Sequence, residues 1–159
     1  MKNFLILIVV FSLISFTAFS QKNPPENVKK EFIKKYASAQ SITWDSEEKN
    51  EWEAEFKMEN KKMSASFDNS GKWIESETEI SEKELPATVV NTLNKDFQGY
   101  KKGLVEIFEN SEMKAFELTL KKGESTLEVL FDSTGKVIKN SEAEEEDEKD
   151  EISAPTPAL

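Results

Sequence analysis

Two stretches of the chain nearly repeat each other: "FDNSGKWIES", residues 67–76, and "FDSTGKVIKN", residues 131–140, aligned residue for residue at an offset of 64. A repeat constrains a fold more than composition does, because both copies must be the same supersecondary unit and must bury equivalent faces. The periodicity around the repeat names that unit. Walking back from Phe67 and Phe131, the alternating sets Met63, Ala65, Phe67 and Leu127, Val129, Phe131 coincide. So do Trp52, Ala54, Phe56 and Phe116, Leu118, Leu120, with Glu53, Glu55 and Glu117, Thr119 between them. Period-two alternation of this kind predicts strands with one buried and one wet face. A two-residue turn is expected at Lys122-Gly123, where Gly accepts a positive φ.

Farther upstream the offset falls to 61 and the period becomes helical. Pro25, Val28, Phe32 and Tyr36 match Pro86, Val89, Leu93 and Phe97, followed by the apolar strand starts Trp44 and Val105. Proline in the first turn and apolar residues every three or four positions predict an amphipathic helix. The change of offset puts three extra residues in the second copy between Val105 and Phe116, where a loop is the expected place for them. The sequence therefore predicts an α+β fold: two tandem α-β4 repeats, residues 21–80 and 81–140, forming antiparallel sheet with the helices packed on one face.

The repeated stretch itself reads as a turn. Asp68 and Asp132 each open a type I turn by accepting backbone hydrogen bonds two residues on, and Gly71 and Gly135 take the left-handed position that closes it. A calcium loop would want oxygen at the fifth position, which holds Lys72 and Lys136. With a bulge at Gly, Phe67 should pair with Trp73 and Phe131 with Val137, making Trp73 core. On the opposite face Leu130 is then expected beside Ile138, and Ile74 opposite Ser66. Apolar groups on a face that also shows Glu53, Glu55 and Glu128 suggest a contact surface, so Ile74, Leu130, Ile138, Glu53, Glu55 and Glu128 are the candidate partner-binding residues.

Residues 1–20 carry Lys2, an apolar run from Phe4 to Phe19 and the small residues Ala18 and Ser20, the pattern of a cleaved signal peptide. A periplasmic or secreted location is expected, with no membrane attachment after cleavage. The exported chain has no Cys to staple it and no His, so disulfides, Cys-His and Ser-His catalysis and ordinary zinc sites are out of reach. Of the 31 acidic residues, eight lie in 141–159 against a single Lys, so much of the formal charge of −10 belongs to a tail expected to be disordered. All 21 basic residues are Lys, which removes the bidentate Arg contacts of nucleic-acid readers. Only five Gly are present and no phosphate-cradling loop, so no cofactor is expected.

The proline-led "PENVKKEFIKKY", the Trp44 that follows, the alternating "EWEAEFKM" and the turn "FDNSGKW", repeated as "PATVVNTLNKDF", "AFELTL" and "FDSTGKV", resemble the PepSY-like, beta-lactamase-inhibitor-like family of exported bacterial proteins. The resemblance covers residues 24–140. It implies a continuous sheet with helices on one face, and binding or inhibition of another exported protein by the open face. It brings no functional residue with it. The second copy has Val105 and Val137 where the first has Trp44 and Trp73.

Three classes of function are compatible with these features. A non-catalytic binding or inhibitory module fits best, and a structural or envelope-stress component without a single tight partner is the alternative. Catalysis by paired carboxylates such as Glu53 and Glu55 is disfavoured, because on a solvated strand face nothing would tune their pKa values apart.

Overall fold

The computed structural model describes residues 23–46 and 50–142. Their elements run α1 (Glu26–Lys35), β1 (Gln40–Asp45), β2 (Glu51–Met58), β3 (Lys61–Asp68), β4 (Trp73–Glu79), a short 3-10 turn (Glu82–Glu84), α2 (Ala87–Asp96), β5 (Lys101–Asn110), β6 (Lys114–Lys122), β7 (Ser125–Phe131) and β8 (Val137–Glu142). All eight strands form one antiparallel sheet in chain order, β1 to β8. The α+β architecture expected from the alternating and helical periods is therefore the one observed. Residues 1–20 and most of the acidic tail lie outside the described residues.

Both helices are short and amphipathic, and each buries its apolar stripe on the same side of the sheet. Val28 and Phe32 of α1, with Tyr36 at its C-terminal cap, pack on Trp44, Ala54, Phe56, Ala65 and Phe67. Val89 and Leu93 of α2 pack on Val105, Leu118, Leu120, Val129 and Phe131. Phe32 is the hub of the first cluster, with ring centroids 5.1 Å from Trp44, 5.0 Å from Phe56 and 6.1 Å from Phe67, all edge-on. Edge-to-face pairs of this kind add about 0.5–1.5 kcal/mol each beyond area burial. Pro25 and Pro86 stand one residue before the helices, as caps whose lack of an N–H costs nothing there.

The repeated turns fold as the sequence predicts and also seat the helices. In the first, the Asp68 carboxylate accepts from the Ser70 and Lys72 amides at 2.8 and 3.0 Å, and Gly71 takes φ +84°. In the second, Asp132 accepts from the Thr134 and Lys136 amides at 2.8 and 3.1 Å, and Gly135 takes φ +83°. These hydrogen bonds hold both aspartates below the usual carboxylate range, side-chain donation from Ser70 and Thr134 being the largest cause. Each turn then receives the first turns of a helix: Asn27 Nδ2 donates to Asn69 O at 2.7 Å, while Thr88 and Thr92 hydroxyls donate to Ser133 O and Gly135 O at 2.7 Å.

The register departs from expectation at one kind of place. Phe67 pairs with Trp73 and Phe131 with Val137 as anticipated, but the ladder shifts immediately afterwards. Ser66 then faces Glu75, not Ile74, and Leu130 faces Lys139, not Ile138. Ile74 and Ile138 are the extra residues of two β-bulges, and one inserted residue moves every later side chain by one place. The predicted side-by-side placement of Leu130 and Ile138 is therefore wrong. Strand β8 also runs on to Glu142, pairing Ser141 with Glu128 and Glu142 with Leu127, so those two residues are sheet, not tail. The three extra residues of the second copy sit on the β5–β6 arm, whose ladder continues through Ile107↔Phe116, Phe108↔Ala115 and Glu109↔Lys114. The insertion lengthens a paired arm instead of enlarging a loop. Finally, Lys122 pairs with Ser125, so the two-residue turn is Gly123-Glu124, one place later than predicted.

Candidate functional site

With both helices on one side, the register determines what the other side shows. One row across the sheet reads Glu79↔Glu106↔Glu117↔Leu130↔Lys139. The next reads Glu55↔Ser64↔Glu77↔Phe108↔Ala115, and the one beyond it Glu53↔Ser66↔Glu75↔Asn110. In the first row Glu79, Glu106 and Glu117 thus stand directly opposite one another on adjacent strands, an arrangement that is destabilising while all are charged. Four glutamates of the three rows, Glu53, Glu75, Glu77 and Glu117, are buried, as is Glu128.

Burial and mutual repulsion act in the same direction on Glu77, Glu106 and Glu117. Desolvation first, then the charges of Glu128, Glu106 and Glu75, pushes Glu117 up to about 8, with Lys139 opposing. Desolvation and then Glu79 and Glu128 push Glu106 up to about 7, against Lys62. Glu77 is raised well above the usual range by burial and by Glu106, Glu117, Glu75 and Glu53, while its carboxyl accepts from Ser64 Oγ at 3.2 Å. Glu117 Oε2 is buried with no hydrogen-bond partner. The face consequently holds protonated carboxyls near neutral pH, which act as hydrogen-bond donors as well as acceptors. No group of three or more Asp or Glu among the described residues is arranged to hold a metal ion.

The residues singled out from the sequence are placed unevenly. Glu53 and Glu128 are buried on this face, whereas Glu55 is exposed there and receives a hydrogen bond from Thr43 Oγ1 at 3.4 Å. Ile138 is 41% exposed and Ile74 half-buried, both at bulges. Leu130 is fully buried: with Phe108, Ala115 and Met113 it makes a third, small apolar cluster, this one on the helix-free side. Its expected role as a surface anchor is corrected accordingly, because a side chain at 0% exposure has no area left to offer. Glu75, Glu77 and Glu106 went unnoticed in the sequence, and Glu117 was read there only as a polar residue on the wet face of its strand. Phe108 was the available signal, since it breaks the alternation set by Val105 and Ile107 and so marks apolar character on the second face.

The fold and its faces define an open-sheet α+β module with one side closed by helices and the other built of carboxyl groups. Residues 50–139 match the family described as "Putative beta-lactamase-inhibitor-like, PepSY-like", and the chain belongs to that family. Among solved structures it is similar to a BLIP-like protein from Bacteroides fragilis NCTC 9343, with a TM-score of 0.69 at 19% identity over 81% of this chain and 93% of that one. A protein described as among "putative periplasmic proteins" from Bacteroides eggerthii DSM 20697 gives a TM-score of 0.69 at 22% identity, over 76% and 90%. A DUF2874 family protein from Bacteroides ovatus ATCC 8483 gives 0.68 at 21%, over 76% and 89%. A search among curated proteins finds no match. Among the described residues no helix is long and apolar enough to cross a membrane.

Proposed function

We propose that the chain is an exported, non-catalytic binding module that contacts another envelope or secreted protein through the helix-free face of its sheet. The observation that carries this reading is the face itself: rows of glutamates brought together across β2 to β7, with no helix on them, while the other side carries both helices and the two main apolar clusters. Groups held together against their own repulsion favour a binding role over a structural one, because a purely structural face would be cheaper with mixed or neutral side chains. Family membership and the likeness to a BLIP-like fold support it. Glu55 and Ile138 are the accessible members of the sequence-derived set, Glu53 and Glu128 belong to the carboxylate rows, Ile74 flanks them, and Leu130 supports the face from beneath.

The test is a comparison of captures. Crosslinking from the envelope of the native host is carried out with the wild-type chain, with Glu55→Lys combined with Ile138→Ser, and with Ile33→Ser on the exposed side of α1. A species held by the wild type and by Ile33→Ser but lost from the face variant supports the reading. Equal capture by all three overturns it.

A further inference from the structure

The helix side of the sheet carries, in the first half alone, a group of polar side chains that the fold does not require. Where α1 ends, a cleft of about 370 Å³ lies over the seam between the halves, bounded by apolar Met58, Met63 and Ile107. A volume of that order accommodates a small ligand. Its polar lining includes the Tyr36 phenol and the ammonium groups of Lys35, Lys61 and Lys114, with Glu59 and Glu109 as anionic neighbours. Glu109 is paired with Lys114 at 3.7 Å, and Lys61 with Glu84 at 2.8 Å. Lys35 instead stands with its ammonium 3.7 Å from the centroid of the Trp73 ring.

Tyr36 is only 6% exposed, and both its Oη and Trp73 Nε1 are buried with no hydrogen-bond partner. Ser76 and Trp73 approach the phenol closely enough to oppose the upward shift that burial gives it, yet neither reaches hydrogen-bonding geometry. The repeat supplies an internal control. At the offset of 61, Lys35 and Tyr36 correspond to Asp96 and Phe97, and at 64, Trp73 corresponds to Val137. The same fold therefore closes with hydrocarbon where the first half keeps a hydroxyl and an indole N–H, each costing stability while unsatisfied. An indole N–H and an ammonium only donate, so what satisfies this set must accept.

We propose that the cleft binds a carboxylate with an apolar body, its oxygens accepting from Tyr36 Oη and Lys35 Nζ, beside the Trp73 ring on which Lys35 rests, while the body lies on Met58, Met63 and Ile107. The site is on the opposite side of the sheet from the carboxyl face and stands or falls independently of the partner reading. Two sources present this chemistry, a free fatty acid and the C-terminus of a peptide ending in an apolar residue.

Indole N–H resonances of the 15N-labelled chain, with that of Trp73 assigned by Trp73→Phe, test the site and its source together. The probes are hexanoate, hexanol, and N-acetyl-Ala-Leu with a free or an amidated C-terminus. The Trp73 indole signal should move with hexanoate or with the free peptide, the tighter arm naming the source, and should stay still with hexanol and the amide. Tyr36→Phe, which installs the residue of the second half and so should fold, should weaken binding by about tenfold or more. Lys35→Ala should do the same, and Lys62→Ala on the other face should change nothing. The proposal fails if neither carboxylate moves Trp73, if hexanol or the amide moves it equally, or if Tyr36→Phe titrates like the wild type.

Discussion

Replacing Gly135 by Ala tests whether the repeated turn is a helix seat as well as a turn. The residue has φ +83°, and an added Cβ would lie 2.4 Å from Thr88 O and 2.7 Å from its carbonyl carbon. Ordinary contact begins at 3.4 Å, so α2 must withdraw by about 1 Å. That movement stretches the hydrogen bonds from Thr88 to Ser133 and from Thr92 to Gly135, each 2.7 Å and each worth about 0.5–1.5 kcal/mol. The left-handed backbone adds about 1–2 kcal/mol for any L side chain. The expected loss is about 2–5 kcal/mol, read from urea unfolding midpoints at unchanged slope. Gly123→Ala is the control: its φ is +63° but nothing lies within 4 Å of the new Cβ, so only the backbone cost of about 1–2 kcal/mol should appear. Gly71→Ala, whose Cβ would meet Asn27 O at 2.9 Å, should fall between them. If Gly135→Ala and Gly123→Ala lose the same stability within about 0.5 kcal/mol, the helix contact contributes nothing and the reasoning is refuted.

The carboxyl rows predict an unusual pH profile. Folded Glu106 and Glu117 hold their protons up to about 7 and about 8, against 4.5 for the ordinary group, so the folded state binds more protons than the unfolded chain between those values. The contribution of these two groups should be full below about 4.5 and should fall as pH rises through 7 to 8, by as much as about 1.4 kcal/mol per pH unit for each extra proton. Thermal unfolding followed across this range should flatten in a Glu106→Gln, Glu117→Gln variant, and a wild type with no alkaline decline would contradict the assignment. Phe67→Ala and Phe131→Ala, both at 0% exposure, should each cost about 3–5 kcal/mol in chemical denaturation, and near-neutral effects at both would invert the strand phase. Leu130→Ala should cost about 2–5 kcal/mol while Ile138→Ser stays within about 0.5, and equal effects would mean that the two share an environment after all.

Features set by local periodicity were legible in the sequence. Val28, Phe32 and Tyr36 declare a helical stripe, Trp52, Ala54 and Phe56 a strand face, and Asp68 to Gly71 a turn, because each needs only neighbours a few residues away. What escaped depends on pairings between distant strands. A bulge at Ile74 leaves the alternation of hydrophobicity nearly intact, yet it reverses which of Ile74 and Glu75 faces Ser66. The carboxyl rows depend on β4 meeting β5 with Glu79 against Glu106, a register that no single strand contains. Leu130 was misjudged for a related reason: its face is apolar only because Phe108 arrives from β5 and Ala115 from β6. The polar donors at Tyr36 and Trp73 were visible as departures between the copies, but their lack of partners became apparent only once α1 was set on the sheet.

Because the sheet is laid down in chain order, every strand finds its partners next to it along the polypeptide, and the ladder from β4 to β5 joins the two halves of the sheet. Such a meander keeps loop closures short, and topologies dominated by short closures fold fast for their size. The first helix and its four strands can zip up before α2 has taken shape. At that moment β4 is a bare edge, with unpaired amides and carbonyls that β5 will later cover. Five consecutive pairs, from Glu75↔Asn110 to Glu79↔Glu106, complete that joint. The glutamates at both ends of the joint guard it during the interval, since a strand studded with like charges is a poor template for its own kind.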